Sequence, residues 1–160
     1  MLKIFGILLL CGLFGYFAFD YTRHQQKRLY QTEGFLLLLR WLRGQISCYS
    51  LPISEAVAGF ENKALEECGF LPRLRTDGFP VALGSCRDSL SVTKETERML
   101  SAFAEGVGKS YREEQIALCD FTIGELEAAV HHVRQECPKQ ARLGRSLLIS
   151  GGLALILVLL

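Results

Sequence analysis

The sequence predicts an all-α fold: a small helical domain held between two apolar ends. Three observations carry that reading. Strand-like alternation is essentially absent from the 160 residues. Apolar residues in the middle recur at spacings of three and four, the period of a helix buried on one side. The first and last stretches, Ile4 to Phe19 and Ser146 to Leu160, carry no charged side chain.

The interior, Asp20 to Arg145, holds all 17 acidic residues and every basic one except Lys3. Its charge is therefore close to balanced, which argues against a nucleic-acid surface. The cysteines stand at 11, 48, 68, 86, 119 and 137, widely spaced and without a CxxC. Reduced thiols used as small apolar residues fit this pattern better than a disulfide framework.

Ile4 to Phe19 would be about 24 Å long as a helix, slightly short of a span, and its neighbours extend it. The sequence is read as a retained anchor rather than a cleaved signal. The n-region would be Lys3 alone, and the best cut, after Ala18, has Tyr16 where a small residue is wanted. The closing run is apolar on every side from Leu153 to Leu160, which a soluble helix of so small a domain does not tolerate. The expected organisation is an anchor over 1–20, a helical domain over 21–145 and a second membrane helix over 146–160. Arg23, Lys27, Arg28, Lys139, Arg142 and Arg145 flank the inner ends and Lys3 alone the outer. This bias places the central domain in the cytoplasm.

Asp20 to Cys48 reads as one long helix, with Phe35, Leu36, Leu39, Leu42 and Ile46 on its packing face. Ser50-Leu51-Pro52 breaks it. Ile53, Ala56, Val57 and Phe60 then make a short amphipathic helix, and Asn62 to Cys68 another, ended by Gly69. From Gly69 to Gly84, Pro72, Thr76-Asp77-Gly78 and Pro80 signal turns, so this segment is expected to be the least regular. Ser85 to Leu90 is a candidate short helix. Thr93 is placed to cap a helix running to about Glu105, with Val92, Met99, Leu100 and Phe103 buried and Gly106 as its left-handed terminator. Ser110 and Glu113 form a capping box. It opens a helix whose seam is Ile116, Cys119, Ile123, Leu126, Val130, Val133 and Cys137. Pro138 is expected to end or kink that helix.

Chemistry-bearing motifs are sparse. Gly106-Val107-Gly108-Lys109-Ser110 resembles the close of a phosphate loop. However, Phe103 stands where the first glycine is needed, and a helix precedes it rather than a strand. The alternative is a membrane-bound nucleotide-dependent regulator using this stretch; the favoured reading is a helix–glycine–helix corner. His131 and His132 are adjacent and diverge on a helix, so no metal site is assigned. Glu66-Glu67 and Glu113-Glu114 diverge likewise and form no acid–base pair. No catalytic residue, cofactor or small-molecule substrate is expected. Arg73, Arg75 and Arg87 are candidate contacts to an acidic partner.

In order and length the chain resembles the stage III sporulation protein AB family. The resemblance rests on the N-terminal apolar run, the helix with Leu36 to Ile46, and Leu51-Pro52 with Glu55-Ala56. It continues in Phe103 to Gln115, with Gly106, Val107-Gly108, Ser110, Arg112-Glu113 and Gln115, and in the apolar helix after Arg142 to Ser146. Val107 stands where that family has a leucine, and Tyr111 where aspartate is common. The resemblance implies a bundle of about six helices, similar to the cytoplasmic domains of type II secretion platform proteins. It implies a non-enzymatic scaffold in the outer forespore membrane, its domain facing the mother cell. It also implies partners: a cytoplasmic secretion-type ATPase and polytopic membrane subunits of a sporulation channel complex. A generic membrane-anchored helical adaptor is the plainer alternative.

Overall fold

In a computed structural model of the chain, the backbone is described for residues 2–49 and 53–159. Side chains are described for residue 16, residue 20, and residues 23–48 and 55–136. Among these the chain is helical without strands. Its elements are α1 (Leu2–Tyr49), α2 (Ile53–Ala58), α3 (Lys63–Glu67), α4 (Phe70–Asp77), α5 (Phe79–Ser85), α6 (Lys94–Gly106) and α7 (Arg112–Leu159). Two compact units result: Lys27–His132, and Met1–Gln26 with Val133–Leu160. The second unit holds the two apolar runs. The backbone of both runs is helical, within α1 and α7, and apart from Tyr16 their side chains lie outside the described ones, so the two membrane spans expected there are not described. Among the described residues no helix is long and apolar enough to cross a membrane.

Within Lys27–His132, α1 supplies the centre of the core. Phe35, Leu38, Leu39 and Leu42 are fully buried, because residues three and four apart stack on one side of a helix. Phe35 meets Phe70 of α4 edge-on at 4.9 Å between ring centroids. Phe70 meets Phe79 of α5 at 5.4 Å, and Phe79 meets Phe103 of α6 at 5.2 Å. This chain of T-shaped contacts joins four helices through one row of rings, each pair contributing roughly 0.5–1.5 kcal/mol beyond its buried area.

α1 and α7 run antiparallel. Arg40 pairs with Glu127 at 2.6 Å, Arg43 with Asp120 at 2.8 Å, and the Arg112 guanidinium donates to the Ser47 carbonyl. As numbers rise on one helix they fall on the other. The expected seam of α7 is the inner side: Cys119 and Leu126 are fully buried, Val130 and Val133 buried, and Ile116 and Ile123 half-buried. Cys137, its last member, lies outside the described side chains.

The segment from Gly69 to Gly84 corrects the sequence reading, since it forms two helices rather than a loop. Gly69, at φ 79, turns the chain out of α3 and into α4, and Gly78 separates α4 from α5. Pro72 and Pro80 each sit in a first turn, where the missing N–H has no intrahelical partner in any case. The turn signals are real, but they mark helix starts. Leu71 and Leu74 of α4, with Ala82 and Leu83 of α5, enter the core. No separate helix forms over Ser85 to Leu90, since Ser85 closes α5. Instead Ser89 and Leu90 donate backbone N–H groups to the Cys86 carbonyl in a turn.

Three boundaries also move. Gly106 is the last residue of α6 rather than its left-handed terminator; Gly108, at φ 80, takes that conformation. A Cβ on Gly106 would come 2.8 Å from Cδ2 of Leu118, so this glycine allows α6 and α7 to approach. α7 starts at Arg112, and the Gln115 N–H donates to the Tyr111 carbonyl. Tyr111 is therefore the residue that flanks the helix, and Ser110 and Glu113 do not form the expected box. Pro138 does not end α7, which continues to Leu159. The cap at Thr93 is as expected, and Asn62 caps α3 in the same way: each side chain accepts from the backbone N–H three residues on, Thr96 at 3.0 Å and Leu65 at 3.1 Å.

Candidate functional site

The three arginines expected to meet an acidic partner prove unequal. Arg75 donates to the Phe60 carbonyl at 2.7 Å and lies 3.9 Å from Glu66. It ties α4 to the chain before α3. Arg87 pairs with Glu97 at 2.5 Å across the turn between α5 and α6. Arg73 is exposed on α4, and its guanidinium makes no hydrogen bond or ion pair among the described residues. The structure does not gather the three into one basic patch.

Arg87 and Glu97 border a shallow groove between α5 and α6, floored by Pro80, Leu83, Gly84 and Ala104. Its charged rim is largely self-neutralised by that pair. The Gly106–Ser110 stretch follows a helix, and Lys109 donates its backbone N–H to the Gly106 carbonyl at 3.3 Å. This is the tight corner between α6 and α7, and it does not have the strand-to-loop geometry of a phosphate cradle.

Among the described residues no group of His, Cys, Asp or Glu is arranged to hold a metal ion. Cys48, Cys68, Cys86 and Cys119 are free thiols. Burial pushes the Cys68 thiol up, and takes Cys119 to about 11, so neither is poised as a nucleophile. The hydrogen bond from Arg43 holds the Asp120 carboxyl below its ordinary value, and the same bond raises Arg43. Both groups are solvent-facing, so the pair fixes geometry more than it adds stability.

Sequence reasoning missed two features. One is the polar trim of the core. Gln31 is fully buried and its Oε1 accepts from the Ser91 N–H at 2.6 Å, anchoring the loop before α6. The Trp41 indole N–H donates to the Ala56 carbonyl at 2.7 Å, fastening α2 to α1. The other is the part that α7 contributes to an outer apolar surface, where Phe121 is 69% exposed beside Leu37 of α1, 49% exposed. Helix period alone would have found the second, because both residues lie opposite the buried stripe of their own helix.

A family model described as stage III sporulation protein AB matches residues 76–160, from the end of α4 through α7. No curated protein and no solved structure matches.

Proposed function

The chain belongs to the stage III sporulation protein AB family, and from that premise we propose that it is a non-enzymatic scaffold of a sporulation channel complex. In this reading it sits in the outer forespore membrane through its two apolar ends. The helical unit faces the mother-cell cytoplasm and docks a secretion-type ATPase to polytopic membrane subunits. The observation that carries the proposal is the family match over 76–160. Two features support it. Uncharged runs bracket the helical unit, with six basic residues on their inner flanks against one outside. Among the described residues the ion pairs Arg40–Glu127, Arg43–Asp120 and Arg75–Glu66 join one helix to another, as a structural unit requires.

Two measurements test it. Full-length chain solubilised in detergent should retain the complex's ATPase on an affinity matrix, and consistent loss of the ATPase under mild salt would remove the docking role. In detergent phase partitioning the chain should enter the detergent phase; recovery in the aqueous phase would remove the anchors and leave a helical adaptor.

A further inference from the structure

Over Leu37, Phe121, Gly124 and Ala128 the outer side of the α1–α7 pair is apolar and has no covering element among the described residues; α2 borders it at Trp41. The Arg40–Glu127 and Arg43–Asp120 pairs fix how the two helices lie against each other. Leu39 and Leu42 on α1, with Cys119 and Leu126 on α7, face inward. Helix geometry then sets Leu37, with Trp41 beside it, on the opposite side of α1, and Phe121, Gly124 and Ala128 on the opposite side of α7. The ion pairs also set the levels. Leu37 lies one turn from Arg40, and Ala128 follows its partner Glu127, so they share one level; Phe121 follows Asp120 and lies beside the level of Arg43.

The patch is shaped for a helix. Gly124 and Ala128 leave a shallow track, and a Cβ at Gly124 would meet nothing within 4 Å. Phe121, 69% exposed, stands at one end of it, with Leu37 and Trp41, 49% and 38% exposed, along the other side. The rim is acidic. Glu114 and Glu125 flank Phe121 on α7, and Glu55 lies next to Ala56, the residue that binds Trp41. All three are exposed and make no ion pair among the described residues. Of the arginines between α1 and α7, Arg40 and Arg43 are already neutralised by Glu127 and Asp120, and Arg112 is held on the Ser47 carbonyl.

We propose that this surface docks an amphipathic helix of a partner protein, its apolar stripe laid over Phe121, Gly124, Ala128 and Leu37 and its Lys or Arg flanks against Glu55, Glu114 and Glu125. The charge complementarity selects this occupant. An anionic lipid surface would be repelled by the same carboxylates. A second copy presenting this patch would bring the same carboxylates with it. The docking mode is helix-in-groove, with apolar anchors giving affinity and flanking charges giving specificity. The inference stands on this surface alone and does not depend on the family role.

The test uses the full-length chain in neutral detergent and a labelled helical peptide of roughly 20 residues, with a Leu/Ala stripe flanked by lysines. A second peptide carries the same stripe flanked by glutamates. The lysine peptide should bind and the glutamate peptide should not. Phe121→Ser should weaken binding at least about tenfold, and Glu114→Lys with Glu125→Lys by about tenfold. Both variants should melt like the parent, because every changed side chain is exposed. Equal binding of the two peptides, or unchanged binding by a variant, overturns the proposal. So does self-association that Phe121→Ser abolishes, which would assign the face to a second copy. A Phe121-dependent preference for anionic over neutral nanodiscs would assign it to lipid and overturn it likewise.

Discussion

The two faces of α7 make an instructive pair. The inner face carries Cys119, Leu126, Val130 and Val133, none more than 7% exposed. The outer face carries Ala117, Phe121, Gly124 and Ala128, all exposed. Both are apolar, both recur at helical spacings (seven, four and three inside; four, three and four outside), and they overlap along the same helix. What separates them is the neighbour. α1 and α6 reach one face, and the outer one has no counterpart among the described residues. Apolar periodicity therefore says that a face is made to be covered, and leaves open what covers it.

That contrast can be broken by substitution. The largest effect should come from Leu126→Asp, which sets an unpaired carboxylate in the core. A loss of about 3–5 kcal/mol should leave little folded protein, and a melting temperature like that of the parent would mean the inner face is not core. Next is alkaline pH. The Cys119 thiol, raised by burial from 9.0 to about 11, stays protonated in the fold while the unfolded chain ionises. Its contribution is therefore fully present below about pH 9 and lost as pH rises toward 11. A loss of order 1–2 kcal/mol, read from denaturant midpoints, should disappear in Cys119→Ala; identical slopes in both chains would place the thiol in water.

Smaller effects sharpen the outer face and the helix start. Gly124→Ala should stabilise by about 0.5–1 kcal/mol, since the position is exposed and nothing crowds a new Cβ. A destabilised variant would reveal a packed neighbour. Tyr111→Asp places a short acceptor at the flank of α7, where this chain has an exposed tyrosine. A gain of about 1 kcal/mol is expected, and no gain would move the true cap elsewhere. Phe121→Ser should change stability by less than about 0.5 kcal/mol, the smallest effect for the largest side chain on the outer face.

Much of this architecture was legible in the residues. The α1 core stripe, the α7 seam and the cap at Thr93 follow from spacing and from a side chain that satisfies an orphan amide locally. The two short helices after Gly69 were misread because Pro72 and Pro80 carry the same signal in a loop and in a first helical turn. The distinction rests on whether the next residues find a core, and Phe70, Leu74, Phe79 and Leu83 do. Gly106 was read as a terminator because glycine serves equally for positive φ and for close approach; contact with Leu118 decides between them. The bond from Arg75 to the Phe60 carbonyl was not legible, because nothing in its neighbours in sequence announces that carbonyl. Arg73, Arg75 and Arg87 are close in number, yet α4 and the turn after α5 hold them to different tasks.

The sequence by itself determined that the chain is helical, where its long helices carry their buried stripes, and that its ends are uncharged. These properties are local or periodic and need no knowledge of distant residues. Only the tertiary structure decided which apolar face is core and which is surface, which arginine is bound to a backbone carbonyl, and which prolines begin helices. Each of those depends on a contact between residues far apart in the chain, and the free energy of such a contact exists only once the fold has brought them together.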